Sequence, residues 1–218
     1  LIPAYNATGT IVQVVRDALR FLPPEDIFVI DDGSRDDTGA AADALGVRVF
    51  FHRSNMGKGV ALRTGFKEVR SRGYDGVILM DADGQHEARF LPRFLEKAAG
   101  QHEELIVGTR MDRVGKMPWV RRFTNRLTSA IISALAGQKI PDSQSGYRYV
   151  RTDVLEGLRL TTSRYETESE MLIQAGRRGY RIGSLPISSI YEDQKSAIRP
   201  GRDTVRFIRL VLKMIIFL

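Results

Sequence analysis

Val77-Ile78-Leu79-Met80-Asp81-Ala82-Asp83-Gly84-Gln85-His86 is the stretch on which the fold turns. Four consecutive apolar residues fit a strand buried on both sides. Asp and Gly then end the run, because both favour turns. The same grammar recurs upstream, where Ile27-Phe28-Val29-Ile30 closes on Asp31-Asp32-Gly33-Ser34. It recurs downstream, where Leu105-Ile106-Val107-Gly108 closes on Thr109-Arg110. Val47-Arg48-Val49-Phe50-Phe51 is a further strand run, and Leu1-Ile2-Pro3 opens the chain as if inside a first strand. Helical periodicity fills the intervals, at roughly 8–21, 36–45, 58–72 and 87–99. Alternation of this kind predicts an α/β fold with a mostly parallel sheet and helices on both faces. Ligands bind such sheets at the carboxyl ends of the strands. Both acidic clusters and Thr109-Arg110 fall there.

The second half reads as a long helix from about 118 to 136, then a loop through Pro141-Asp142-Ser143-Gln144-Ser145-Gly146. A short strand from Tyr147 to Val150, a helix near 166–178 and a strand around 181–187 follow. Residues 191–202 are polar, contain Pro200 and Gly201, and predict a mobile loop. No linker separates this half from the first. The expected organisation is one domain over 1–200 and a basic amphipathic C-terminal helix over 201–218. That last segment is too short and too interrupted by charge to span a bilayer. A helix lying on a membrane, the approach to a spanning segment and a plain core helix all fit it. The missing initiator methionine predicts an N-terminal truncation.

The 218 residues, 43% hydrophobic and 27% charged, suit an ordinary globular protein. The absence of cysteine excludes disulfides and thiolate metal sites, and agrees with a reducing cytoplasm. The net charge of +7 fits either a solvated basic surface or an anionic partner: phosphate, nucleic acid or an anionic membrane. The charge is locally concentrated. Arg110, Arg113, Lys116, Arg121, Arg122 and Arg126 face only Asp112 over that stretch. Arg122 and Arg126 share a helix face, with Arg121 offset.

Asp81 and Asp83 are two carboxylates one residue apart at the end of a buried strand, where both can face one cation. Hard oxygen ligands select Mg²⁺ or Mn²⁺, and Gln85 adds a neutral oxygen. A plain turn is the competing reading. Asp32 can accept hydrogen bonds from a base or ribose, while Ser34 or Asp36 can cap the next helix. Asn55-Met56-Gly57-Lys58-Gly59 puts flexible backbone and a lysine at a helix N-terminus, a plausible phosphate site, although it fails the Walker pattern. His52, His86 and His102 lack metal-ligand spacing; of the three, His86 is placed to reach the Asp81 turn.

Pro3-Ala4-Tyr5-Asn6, Asp31-Asp32-Gly33-Ser34, Asn55 to Gly59 and Asp81 to His86 appear in the order found in family-2 glycosyltransferases. Gly108-Thr109-Arg110, Asp142 to Arg148 and Tyr191 to Arg199 extend the likeness over nearly the whole chain. It most resembles the branch of dolichyl-phosphate mannose synthase and bacterial polyprenyl-phosphate glycosyltransferases. The resemblance implies a GT-A fold and an inverting transfer. It implies that Pro3, Ala4, Tyr5 and Asp32 line the nucleotide pocket, and that Asp81, Asp83 and Gln85 hold the metal against the diphosphate. Arg110 and Arg122, with Arg121 as the substitute, would grip an acceptor phosphate. Asp142 and Arg148 would lie on the acceptor side, and Lys195 and Arg199 would reach donor phosphate from a closing loop. Mannose synthases usually carry Leu where Gly84 stands, so the sugar does not carry over.

The expected reaction is hexose transfer from a UDP- or GDP-linked sugar to a polyprenyl phosphate, by a peripheral enzyme at the cytoplasmic face of a membrane. A phosphomonoester, with a second pKa of about 6, needs no general base to attack. A sugar hydroxyl does. For that rival acceptor Asp142 is the candidate base, with Glu166 and Glu168 behind it. A basic nucleic-acid-binding protein is the remote alternative. It would need a stacking platform or helix-turn-helix that the sequence lacks, so no nucleic-acid partner is expected.

Overall fold

The computed structural model describes residues 1–110, 119–188 and 200–216, with 119–122 and 200–203 described by backbone alone. The first half runs β1 (Ile2–Ala4), α1 (Thr8–Leu19), β2 (Phe28–Asp31), α2 (Thr38–Asp43), β3 (Arg48–Phe51), α3 (Lys58–Ser71), β4 (Gly76–Leu79), α4 (Leu91–Ala99) and β5 (Leu105–Thr109). The second half runs α5 (Trp119–Ala136), β6 (Arg148–Arg151), α6 (Thr152–Gly157), α7 (Glu166–Arg177), β7 (Ile182–Pro186) and α8 (Pro200–Ile216).

β1, β2 and β3 pair in parallel. Leu1 N donates to Ile78 O at 2.8 Å and Met80 N donates to Leu1 O at 3.0 Å, which lays β4 parallel beside β1. β6 then inserts antiparallel between β4 and β5, and β7 closes the far edge parallel to β5. The expected α/β architecture is therefore present, with one reversed strand. Direction was not legible: Tyr147-Arg148-Tyr149-Val150 reads the same whichever way it runs.

Side chains alternate across the strands, so the sheet separates two cores. Phe28, Ile30, Val77, Leu79, Leu105 and Val107 face α3, α5, α6, α7 and α8. Val29, Met80, Ile106 and Tyr149 face α1, α2 and α4. β2 and β5 are buried along their whole length, as their unbroken apolar runs require. β3, whose run is broken by Arg48, is half-buried. It is an edge strand, and Phe51 is 62% exposed.

α7 packs between α5 and α8 and is buried nearly all round. α8 starts at Pro200, a residue suited to a helix's first turn, so the polar loop expected to reach 202 ends earlier. The remainder of that loop, with Lys195 and Arg199, lies outside the described residues. Leu210 and Met214 of α8 join the core. No helix among the described residues is long and apolar enough to cross a membrane.

Candidate active site

Reversing β6 has a direct consequence for chemistry. The carboxyl ends of β1, β2, β4 and β5 share one edge, and an antiparallel strand starts at that edge instead of ending there. The loop from Asp142 to Gly146 therefore arrives beside Asp81. Contact is close: a Cβ on Gly146 would overlap the Asp81 carboxylate, with Asp81 Cγ only 2.9 Å away. Gly146→Ala is expected to push Asp81 aside and to lower divalent-metal affinity at least roughly tenfold, because overpacking at a filled site costs about 1–3 kcal/mol. Calorimetric Mn²⁺ titration checks this, and an unchanged affinity would refute the contact.

Asp81 sits between cations. Lys58 Nζ lies 2.5 Å from Asp81 Oδ1 and 3.2 Å from Glu168 Oε1, so one ammonium bridges two carboxylates, from the turn after β4 and from α7. Burial pulls the lysine's pKa down, but Asp81 and Glu168 outweigh it and hold it above the usual range. Burial raises the Asp81 carboxyl, and the Lys58 ammonium more than reverses that. Asp81 is thus ionised at neutral pH, as a metal ligand must be. Asp83 Oδ1 accepts the Gln85 backbone N–H at 2.9 Å, and Gly84 sits at φ 76°. The competing turn reading of this motif is therefore present, and such a turn does not exclude a metal. Thr10 Oγ1 of α1 donates to Ala82 O at 2.6 Å and braces the turn from below.

His86 is buried and stacks on Tyr147, with ring centroids 5.0 Å apart. Its Nδ1 accepts the Asp81 backbone N–H at 3.1 Å, and burial lowers its pKa, in keeping with a neutral ring. It does reach the site, as a support for the Asp81 backbone.

Asp32 is buried, and its carboxylate accepts the N–H groups of Met56 and Gly57 at 2.9 and 2.7 Å. His52 Nδ1 lies 2.7 Å from the same carboxylate. The residue expected to line a nucleotide pocket thus also fixes the loop that presents Lys58. Gly57, at φ 100°, and Gly59 lie against Ser163 and Thr167, where a Cβ would collide. Glu170 holds that opposing loop by accepting the N–H groups of Thr161 and Thr162, both at 2.9 Å. At the end of β1, Ala4 O accepts Asp32 N–H at 2.8 Å, Pro3 is half-buried, and Tyr5 is 43% exposed at the rim.

Arg110 and Asp142 meet each other. Arg110 Nε and Nη2 donate to the two Asp142 oxygens at 2.9 and 3.2 Å, and Asp142 is wholly buried. Arg148 is wholly buried too, and donates to the carbonyls of Ser143, Ser145 and Glu168 at 2.7, 2.7 and 2.8 Å. Expected on the acceptor side, it staples the Asp142 loop to the start of α7. Arg148→Met removes three charge-assisted hydrogen bonds to backbone carbonyls, each worth about 1.5–3 kcal/mol. A fall in melting temperature of about 10 °C is expected; a shift of about 2 °C or less would dismiss the staple. The side chains of Arg121 and Arg122 lie outside the described residues.

Sequence reading missed the Lys58–Glu168 bond, the Gly146 contact and the bracing by Thr10, because each joins residues far apart in the chain. Among the described residues no group of three or more His, Cys, Asp or Glu side chains converges on one point. A cation at Asp81 and Asp83 would therefore complete its shell with ligand or water oxygens, which is how Mg²⁺ usually binds. The oxygen-only donor set fits such an ion.

The model of the family described as Glycosyl transferase family 2 matches residues 1–159. The chain belongs to that family. Among family-2 relatives, a UDP-N-acetylglucosamine–dolichyl-phosphate N-acetylglucosaminyltransferase of Methanococcus voltae is 32% identical over 90% of this chain and 87% of its own length. An undecaprenyl-phosphate mannosyltransferase of Micrococcus luteus is 32% identical over 87% of this chain and 82% of its own. Among solved structures, glucosyl-3-phosphoglycerate synthase of Mycobacterium tuberculosis, in complex with Mn²⁺, UDP and glucosyl-3-phosphoglycerate, superposes with a TM-score of 0.77. It is 21% identical, with 98% of this chain and 77% of that one covered, and carries the same α/β architecture. The expected GT-A fold of a family-2 glycosyltransferase is thereby established.

Proposed function

We propose that this glycosyltransferase moves a hexose from a UDP- or GDP-linked sugar to a polyprenyl phosphate, with inversion, using Mg²⁺ or Mn²⁺ held by Asp81, Asp83 and Gln85. The observation that carries the reading is the bidentate Arg110–Asp142 pair at the edge where Asp81 and Lys58 meet. Asp142 has no exposed surface and a guanidinium across both oxygens, which leaves no open oxygen for an acceptor hydroxyl to reach. It is well placed to hold Arg110 rigid. A rigid guanidinium suits a phosphate acceptor, which already carries its charge and needs no base. The names of the two relatives above point the same way.

In this reading Asp32 and the loop to Gly57 present Lys58 to the donor diphosphate, and Pro3, Ala4 and Tyr5 form the wall beside the base. When bound, the divalent ion supplies Lewis-acid neutralisation of the leaving diphosphate. Lys58 adds a fixed positive charge beside it, already oriented by Asp81 and Glu168. Arg110, with Arg122 or Arg121, draws the acceptor phosphate to the same edge, and Lys195 and Arg199 contribute to donor phosphate. The enzyme works peripherally at the cytoplasmic face of a membrane, where such a lipid phosphate resides.

The test compares polyprenyl phosphate, the unphosphorylated polyprenol and simple sugar hydroxyls as acceptors, with UDP- and GDP-sugars and either metal. Product is expected from the phosphate alone. Transfer to a hydroxyl with none to the phosphate would overturn the reading.

A further inference from the structure

Glu168 stands in the first turn of α7 and is buried. Its sequence position made it a reserve base for a sugar hydroxyl, but its carboxylate is engaged by Lys58 at 3.2 Å. That ammonium is shared unequally. It lies closer to Asp81 Oδ1, at 2.5 Å, while Asp81 Oδ2 lies against Gly146, where a Cβ would overlap it. Lys58 therefore covers one oxygen of the carboxylate expected to hold a cation. Two positive charges on one carboxylate repel, so an ammonium and a divalent ion compete for Asp81. α7 offers Lys58 an alternative. Glu168 supplies a second carboxylate, and the Tyr165 ring, three residues earlier, lies 5.9 Å from Nζ. This end of α7 is itself fixed. Arg148 Nη1 donates to Glu168 O at 2.8 Å, and Gly59 packs on Thr167 with no room for a Cβ.

We propose that Glu168 is a positioning residue that receives the Lys58 ammonium when a divalent ion takes Asp81. This role rests on the reading of Asp81 as a metal ligand. Without Glu168 the ammonium would have Asp81 as its one carboxylate and would hold the site against a metal. With Glu168 present, Lys58 can yield Asp81 and still stay beside it, as a cation for the donor diphosphate. The exchange asks little of the structure. Both contacts already exist, and a lysine's flexible stem and three rotatable donors let it shift its weight from one carboxylate to the other. Glu168 thus acts through Lys58 and needs no contact with metal or substrate.

The test is calorimetric titration of the whole chain with Mn²⁺ alone, without nucleotide. Lys58→Met removes the competitor and should tighten Mn²⁺ binding at least roughly tenfold. Glu168→Gln keeps the shape of the side chain, leaves the ammonium to Asp81, and should weaken Mn²⁺ binding about tenfold. Combining the two isolates the role of Glu168. In the Lys58→Met background, Glu168→Gln should change the affinity by less than about threefold, because no ammonium is left to receive. An equal loss in both backgrounds would mean that Glu168 acts on the metal directly, and would overturn the proposal. Unchanged or weaker Mn²⁺ binding by Lys58→Met would overturn it as well. Lys58→Met leaves two carboxylates without their cation, so melting temperature checks its folding. Lys58→Gln, which keeps a donor for either carboxylate, carries the measurement if the methionine variant does not fold. Asp81→Asn separates this role from the metal reading. If Asp81→Asn abolishes Mn²⁺ binding while Lys58→Met gains none, only the role of Glu168 falls. If Asp81→Asn leaves Mn²⁺ binding intact, the metal reading falls and the role of Glu168 with it.

Discussion

Asp81→Asn should lower metal-dependent transfer by roughly a thousandfold, about 4 kcal/mol of lost transition-state stabilisation. Asparagine keeps the shape that Gly146 and the β4 turn surround, so little repacking follows. What it removes is the charge. In the proposed reading Mn²⁺ would lose an anionic ligand, and Lys58 loses the nearer of its two carboxylates but keeps Glu168. The fold should survive, with His86 still accepting the backbone N–H of residue 81. Mn²⁺ affinity by calorimetry and turnover with a nucleotide sugar are read side by side. If transfer remained metal-dependent and within tenfold of wild type, the metal would sit elsewhere.

The second large effect lies at the Arg110–Asp142 pair, the proposed acceptor side, where stability and binding must be separated. Arg110→Gln strands the Asp142 carboxylate, which has no exposed surface. Removing one partner of a buried pair typically costs about 3–5 kcal/mol, because the remaining charge is uncompensated. A large drop in melting temperature is therefore expected from the single substitution, whatever its role in function. Adding Asp142→Asn removes the stranded charge and should recover much of the stability. It cannot restore a guanidinium. The double variant should fold and still show a KM for polyprenyl phosphate raised at least about tenfold, the worth of one charge-assisted hydrogen bond. KM for the nucleotide sugar should move much less. If the double variant regains wild-type acceptor KM, Arg110 is a structural partner of Asp142 and nothing more.

These two experiments probe features of different legibility. The Asp81-Ala82-Asp83 turn was visible because a strand run and its terminator are written in neighbouring residues. Those local rules also marked the ends of β2 and β5, and so gathered the acidic clusters and Arg110 on one edge. The Arg110–Asp142 pair was not visible in that way. Both residues stood out, but in separate roles, one as a phosphate grip and the other as a base. They are 32 positions apart, and only the insertion of β6 between β4 and β5 brings them together.

Lys58 shows the same division. Its place at a helix N-terminus, after Gly57, follows from the sequence. Its bridge from Asp81 to Glu168, a residue 110 positions away, does not. Arg148 and His52 carried no local signal for their buried partners, since a buried arginine and an exposed one are spelled alike. The same holds for α8. Its sequence left an interfacial helix, the approach to a spanning segment and a core helix open, and packing against α7 made it core on one face and exposed aliphatic on another.

By itself the sequence determined the strand–helix alternation, the carboxyl-end clustering and the turn that carries Asp81 and Asp83. These depend on periodicity and turn chemistry, which act over a few residues. The tertiary structure alone decided that β6 runs backwards, that Asp142 holds Arg110, and that Lys58 is shared by two carboxylates. Strand order and direction are settled by which apolar faces bury each other, and that is a property of the whole chain.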